Sequence, residues 1–541
     1  MRAGRTRARA WVVAVALEMA VLPTKAEPPL DSSVAQSESA QRAAFVVEEA
    51  TIGGIHAALA AGHTTCLQIV ETHLRRIEAF DKRGPVLNAM IAINRAALDA
   101  AAEWDRARIA SRVPLRSLDC IPVILKDNFD TADMPTTGGS VTLASSVPLR
   151  DAFVVKKLRE AGAIILGKAN LTELALGGTT VSSLGGQTRN PYDLTRTPGG
   201  SSGGTGAAIA ASFGVVGTGT DTGQSVRSPA SAQSLTGLRP TRGLISRSGI
   251  IPISPTQDEA GPIARTVEDT ARLLDVMAGY DPDDPITAFG AHRIPSTYTA
   301  SLDAGVLNGA RIGVLTQVFG REPVHEQVNR VVEAAIEQMK RAGAVVIEIT
   351  IPRLERLTDG VQVADYEAKA AFDSYVARLG PLAAVKSFDE LVARGEFHPY
   401  VRASLEAERR AHGNEAEYQK RLLRRHDLRQ AVMIAFAANG LDAILYPHQQ
   451  RLVVPIGEEQ VERNGVLSNS TGFPAIAFPG GFSTPTDSAP LGVPVGIELL
   501  GPEWSEPTLL RLAFAFEQAA KVRRPPASTP RLDASKVTPA R

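Results

Sequence analysis

One stretch of this chain limits its fold more than any other: GGSSGGTGAAIAASFGVVGTGTDTGQSVRSPA, Gly199 to Ala230. Glycine at this density raises the entropy cost of folding, so it marks backbone that must approach something closely. The small residues after Gly203 read as a helix, and VVGTGTD reads as a strand that leads into a second glycine-rich turn. Each turn carries a serine, Ser201 and Ser225, 24 residues apart.

Several functions would use such backbone. A phosphate loop needs Gly-Lys-Ser/Thr at its end, and none is present. Gly199 to Gly203 matches the nucleophile-elbow pattern G-x-S-x-G, but that motif needs a strand feeding the turn. Here NPYDLTRTP precedes it, a loop with Pro191 and Pro198. No histidine lies between His73 and His292, and none of the nine has a motif around it. Taken alone, GGSSGG is most simply a loop packed beneath a helix.

The rest of the chain alternates. Val70, His73, Leu74 and Ile77 predict a helix over 64–81, LNAMIAI (87–93) a buried strand, and the Ala-rich run 95–110 a helix. IPVIL (121–125) predicts a strand that delivers Lys126 at its end, and AIIL (163–166) another strand. Thr266 with Asp269 marks a helix start, and the helix runs to Met277. RIGVL, the Val324–Met339 pattern and AVVIEI form a βαβ unit; residues 384–440 are charged and helical. DAILYP, PAIAFPGGF and GVPVGIELLG are buried strands, followed by a helix at 507–520. Strands alternating with helices throughout predict an α/β fold with one large mixed sheet surrounded by helices.

The ends read differently. MRAGRTRARA, WVVAVALEMAVL and PTKA have the basic, apolar and small-residue order of a secretory signal, with cleavage near Ala26 and Glu18 as a blemish. A transit peptide or an uncleaved anchor is the alternative. Residues 27–45 are a loose linker, 46–522 the main folded domain, and 523–541 a Pro-rich, disordered tail. The 58 basic and 58 acidic residues balance, so no net charge draws the chain to nucleic acid or an acidic membrane. Cys66 and Cys120 lack metal-site spacing; one disulfide is possible, but two reduced thiols are the expectation.

The features are joined, and together they resemble the amidase signature family of serine hydrolases. That family has a GGSSGG turn and a Gly-Thr-Asp-x-Gly-Gly-Ser-Ile-Arg-x-Pro-Ala run; here they are GGSSGG and GTDTGQSVRSPA. IPVILKDNFDT, TTGGS (136–140), LGKANLTELA, GQTRNPY, the 243–266 segment, SNSTGFPAIAFPGGF and the 492–513 segment are similar as well. The resemblance implies a metal- and cofactor-independent amidase, with Ser225 as nucleophile, Ser201 as bridging hydroxyl after a cis peptide bond, and Lys126 as base. Backbone N–H groups of Thr222, Gly223, Gln224 and Ser225 would form the oxyanion hole; Asp221, Arg227 and Ser202 would hold the turn. The family usually has Gly where this chain has Gln224, so φ is negative there or the side chain lines the pocket. Ala175 to Leu184 and the 360–440 stretch are the expected pocket wall. The implied substrate is a small-molecule carboxamide, with esters as a side activity. Neither nucleic acid nor stable membrane insertion is expected, and the chain is a monomer or homodimer. Two other readings stay open: an amidotransferase component that modifies misacylated tRNA, and a non-catalytic exported binding protein.

Overall fold

The apolar runs line up as the strands of one sheet, and the amphipathic segments cover it. The computed structural model describes residues 45–110 and 114–532, which fall in one compact unit. The expected signal segment (1–26), almost all of the linker and the last nine residues lie outside the described residues. In chain order the strands are β1 (Met90–Ile93), β2 (Pro122–Lys126), β3 (Ile164–Ala169), β4 (Val181–Ser182), β5 (Gly186–Gln187) and β6 (Val216–Asp221). There follow β7 (Thr236–Arg239), β8 (Glu259–Ala264), β9 (Arg311–Leu315), β10 (Val345–Ile349), β11 (Ala443–Pro447), β12 (Ala475–Phe482) and β13 (Pro494–Leu500). Eleven of them form a mixed sheet in the order β1-β3-β2-β6-β8-β7-β12-β13-β11-β9-β10, and β4 and β5 form a separate pair.

The sheet is parallel through β3-β2-β6 and through β11-β9-β10, and antiparallel between those blocks. β2, β3, β6, β7, β8, β11 and β13 are buried along their whole length, so both faces are covered and their sequences are apolar or small-residue runs rather than alternating ones. LNAMIAI departs from expectation: only Met90–Ile93 is strand, and it is a sheet edge with Ile93 exposed.

The helix ends follow their capping residues. Thr65 and Gln68 form a capping box on the helix Cys66–Phe80, and Thr266 Oγ1 accepts the Asp269 N–H at 3.1 Å at the start of Val267–Met277. The glycine-rich insert does what its composition requires. The helix Gly203–Ala210 is buried at every residue. A Cβ on Gly204 would strike the carbonyls of Asn170 and Ala89, the latter at 2.7 Å, so only glycine lets this helix lie backbone-to-backbone against the end of β3. Gly199 turns the chain with φ +71°.

Two expectations are corrected. The tail from Arg523 to Leu532 is ordered, because it supplies partners for buried cations. Arg523 pairs with Glu49 and donates to the Ser234 carbonyl, and buried Arg76 donates to the carbonyls of Thr529 and Pro530 at 2.9 and 3.0 Å. Cys66 and Cys120 are disulfide-bonded, with Cα atoms 5.5 Å apart. The fold sets the first residue of a helix beside the loop entering β2, a juxtaposition no sequence spacing shows. No helix among the described residues is long and apolar enough to cross a membrane.

The bridge closes a loop of 54 residues in sequence, which in the chain-entropy account constrains the unfolded state by about 4 kcal/mol. The Cys66→Ser/Cys120→Ser variant is expected to lose about 2–4 kcal/mol of unfolding free energy, read as a lower denaturant midpoint. Unchanged midpoints with and without reductant would show that the bridge contributes nothing.

Candidate active site

The sequence distance between Lys126, Ser201 and Ser225 collapses because β2 and β6 are neighbours and the helix Gly203–Ala210 packs on both. β2 ends at Lys126; β6 ends at Asp221, four residues before Ser225; Ser201 sits on the turn into the helix. The Gly200–Ser201 bond is cis, as the resemblance implies.

Lys126 is fully buried. Its Nζ lies 2.8 Å from Ser201 Oγ and 2.7 Å from Thr220 Oγ1. Burial brings its pKa from the ordinary 10.5 to about 7, with the more distant carboxylates of Asp221 and Asp258 opposing the fall. An amine at that value accepts and returns a proton near neutrality. Ser202 ties the two turns: its N–H donates to the Ser225 carbonyl at 3.3 Å, and its hydroxyl meets the Thr220 backbone. Ser225 Oγ makes no hydrogen bond among the described residues, so Lys126 and Ser201 are joined directly and Ser225 reaches them only through backbone. Nucleophile contacts are often loose before substrate binds.

The turn Thr222–Ser225 has a definite orientation. In a trans peptide the N–H points opposite to the preceding C=O. Here each preceding carbonyl is held. The Asp221 carbonyl accepts from Arg239, and the Thr222 carbonyl accepts from Gln257 Nε2 at 3.1 Å. The Gly223 carbonyl accepts from Arg227 Nη2 and Asn469 Nδ2, both at 2.8 Å, and the Gln224 carbonyl accepts the Ser228 N–H at 2.7 Å. The N–H groups of Thr222, Gly223, Gln224 and Ser225 therefore face away from these donors, and none has a protein acceptor among the described residues. A row of unpaired N–H groups beside a serine can stabilise an oxyanion. Gln224 stays out of the left-handed region. Its side chain is buried against Gly465, where a Cβ would lie 2.6 Å from the Gln224 Cβ, and its Oε1 has no hydrogen-bond partner among the described residues.

Behind the turn lies a buried charge cluster. Arg227 donates to both Asp221 oxygens at 3.1 and 3.2 Å and to Glu498 Oε1 at 2.5 Å. Arg239 adds a bond to Asp221 at 3.1 Å. Burial alone would raise the Asp221 pKa, but Arg227 and Arg239 hold it far below the usual carboxylate range. Glu498 also accepts from Tyr446 and His448 Nδ1, at 2.8 and 2.6 Å. Glu498, Tyr446, His448, Gln257 and Asn469 were not singled out from sequence. The one available signal was Glu498, a lone charge in the apolar strand GVPVGIELLG.

Thr222 Oγ1 donates to Asp258 Oδ1 at 2.5 Å. Asp258 lines a cavity of about 620 Å³ walled by the 366–378 and 412–418 segments, which lie within the stretch expected to form the pocket. Ala175 lines a narrow gap with Asn128, Thr220 and Thr222, which shares Arg247, Ile250, Pro252 and Asp258 with this cavity. Among the described residues no group of three or more His, Cys, Asp or Glu is placed to hold a metal ion.

Fold and site together define a hydrolase of amide C–N bonds. The Amidase family matches residues 68–510, and the chain belongs to it. It is 36% identical over 501 residues to a probable amidase of Arabidopsis thaliana, covering 89% of this chain and 92% of that one. It is 35% identical to the A-type component of the glutamyl-tRNA(Gln) amidotransferase of Halorhodospira halophila, covering 87% of this chain and 97% of that one. The native peptide amidase of Stenotrophomonas maltophilia superposes with a TM-score of 0.79 at 36% identity, over 88% of this chain and 98% of that one.

Arg227→Met would leave Asp221 and Glu498 without their shared cation. Removing one partner of a buried pair costs about 3–5 kcal/mol, and the Gly223 carbonyl loses a donor. The expected result is a large fall in denaturant midpoint together with loss of turnover. A variant of wild-type stability and activity would show that the cluster does not hold the turn.

Proposed function

We propose that this protein hydrolyses a small-molecule carboxamide through an acyl-enzyme on Ser225. The observation that carries the reading is a buried lysine, poised near neutrality, 2.8 Å from the Ser201 hydroxyl. Ser225 Oγ attacks the carbonyl carbon. Its proton passes to Ser201 Oγ while the Ser201 proton passes to Lys126 Nζ, and the N–H groups of Thr222 to Ser225 receive the oxyanion. Collapse breaks the C–N bond, and the proton returns through Ser201 to the leaving amine. Water then attacks the Ser225 ester by the same relay, releasing the carboxylic acid. An ester substrate forms the same intermediate, so ester hydrolysis is a side activity.

The likeness to the amidotransferase component of Halorhodospira halophila favours a second reading, a chain that acts only within a complex. Amide turnover by the isolated chain decides between the two. Export fits the basic and apolar leader, and the buried Cys66–Cys120 bridge fits an oxidising compartment. Intact mass from the native source is expected to show a chain beginning after Ala26; a full-length cytosolic chain would overturn export.

The base must be neutral to work. kcat/KM is therefore expected to rise with pH through about 7 and then level off, since Lys126 is protonated and inactive below that value. Lys126→Ala should remove this limb and lower the rate by about 10²–10⁴-fold. Ser225→Ala should form no covalent adduct with a fluorophosphonate. An adduct in Ser225→Ala, or a pH limb that persists in Lys126→Ala, would sink these roles.

A further inference from the structure

The cavity beside Thr222 has an unbalanced lining. Five carboxylates face it, among them Asp258, Asp283, Glu367 and Glu415, and only two arginines. One of these, Arg247, is held by the fifth carboxylate, Asp284, in a two-pronged pair at 2.9 and 2.7 Å. The half-buried carboxylates Asp258 and Glu367 form no ion pair among the described residues. Asp258 accepts from Thr222 and from the N–H groups of Ile253 and Ser254, the latter two at 2.8 Å. Glu367 accepts from the hydroxyls of Ser254, Thr256 and Tyr418. Asp283 and Glu415 stand exposed at the rim.

A separate observation points the same way. Glu408, on the helix Arg402–Ala411, is 2% exposed and its carboxyl has no hydrogen-bond partner among the described residues. It lines a small apolar recess that shares Pro252 with the large cavity. Burial and the nearby carboxyls of Asp365 and Asp258 push its pKa well above the ordinary value. A buried acid in an apolar setting beside two others is stabilised by an arriving positive charge.

We propose that this cavity receives a protonated amine carried by the substrate, so that the preferred amides are those whose body, away from the scissile bond, ends in a primary ammonium group. The inference rests on the amidase reading, and it names the substrate class of that site. The geometry gives the order of events: the carboxamide lies over the Thr222–Ser225 turn, and the chain runs past Thr222 and Asp258 into the cavity. The acidic rim draws the cation in; Tyr366 and Tyr418, stacked at 5.9 Å, form part of the wall.

The test uses binding to the full-length Ser225→Ala protein, which needs no turnover. Three amides of similar length are compared by calorimetry: ε-aminocaproamide (cationic), heptanamide (neutral) and adipic acid monoamide (anionic). The cation is expected to bind about 10-fold or more tightly than the neutral amide, with the anion weakest and the difference shrinking as salt is added. Asp283→Lys/Glu415→Lys, at exposed positions and with an unchanged circular dichroism spectrum as the check on folding, should cut the advantage to about 2-fold or less. Glu408→Gln should also reduce it. Equal binding of the cation and the neutral amide, no binding of any of the three, or an order unchanged by the rim charge reversal would each overturn the proposal. If the binding order holds while Ser225-intact protein hydrolyses none of the three, the amidase reading fails and the cation site stands.

Discussion

Arg227 holds the centre of this molecule. Its guanidinium bridges Asp221, at the end of β6, and Glu498, in the middle of β13, across a sheet where those strands are not neighbours. All three side chains are fully buried, so none can exchange its partner for water. Such a cluster is a poor source of net stability, because desolvating each ion costs several kcal/mol. Its effect lies in specificity. The register that pairs Asp221 with Arg227 and Arg239 also places the Gly223 carbonyl on Arg227 and the Asp221 carbonyl on Arg239, while Gln257 and the Ser228 N–H hold the other two carbonyls of the turn. A polar core fixed largely by charge thus sets a turn whose four N–H groups have no protein acceptor among the described residues.

The opposite device sets Lys126. Here burial is uncompensated at close range: the nearest groups are hydroxyls, and the carboxylates that would favour the ammonium stand further off. Had Asp221 approached Lys126 as closely as it approaches Arg227, the lysine would be an ion-pair partner rather than a base. The two arginines occupy Asp221 and so leave the lysine under the control of desolvation. Two cations, both fully buried and both near Asp221, acquire opposite characters from which of them the carboxylate touches.

What was legible in the sequence follows the same division. IPVIL announced a buried strand and placed Lys126 at its end; the glycine turns announced close backbone approach, which Gly204 makes against Asn170 and Ala89. Such signals are local, since periodicity and backbone conformation are written in neighbouring residues. Glu498, Tyr446 and Asn469 come from two strands and a helix, and His448 from the bend just after β11, all more than two hundred residues beyond Ser225, and only the sheet order brings them behind it. The tail misled for a related reason. Its proline content suggests disorder, yet Arg76, Glu48 and Glu49 are left with charges that residues 523–532 satisfy. Cys66 and Cys120 likewise carry no mark of their pairing until the helix and the loop before β2 are set side by side.

Poising the base has a thermodynamic side. In the unfolded chain the Lys126 amine binds its proton up to about 10.5; in the folded protein it does so only up to about 7. Between those values folding releases a proton, so this group's contribution to stability improves as pH rises from 7 toward 10.5. Below 7 the amine is charged in both states and the full penalty applies, about 5 kcal/mol on the order-of-magnitude scale. That is comparable to the whole net stability of an ordinary domain, about 5–15 kcal/mol. A fold can carry it only where the surroundings are strongly determined by other interactions. The strands fully buried on both faces, the bridge closed just before β2, and the Arg227 cluster beneath the turn all converge on the region around Lys126. This costly side chain therefore sits where the packing leaves it few alternatives.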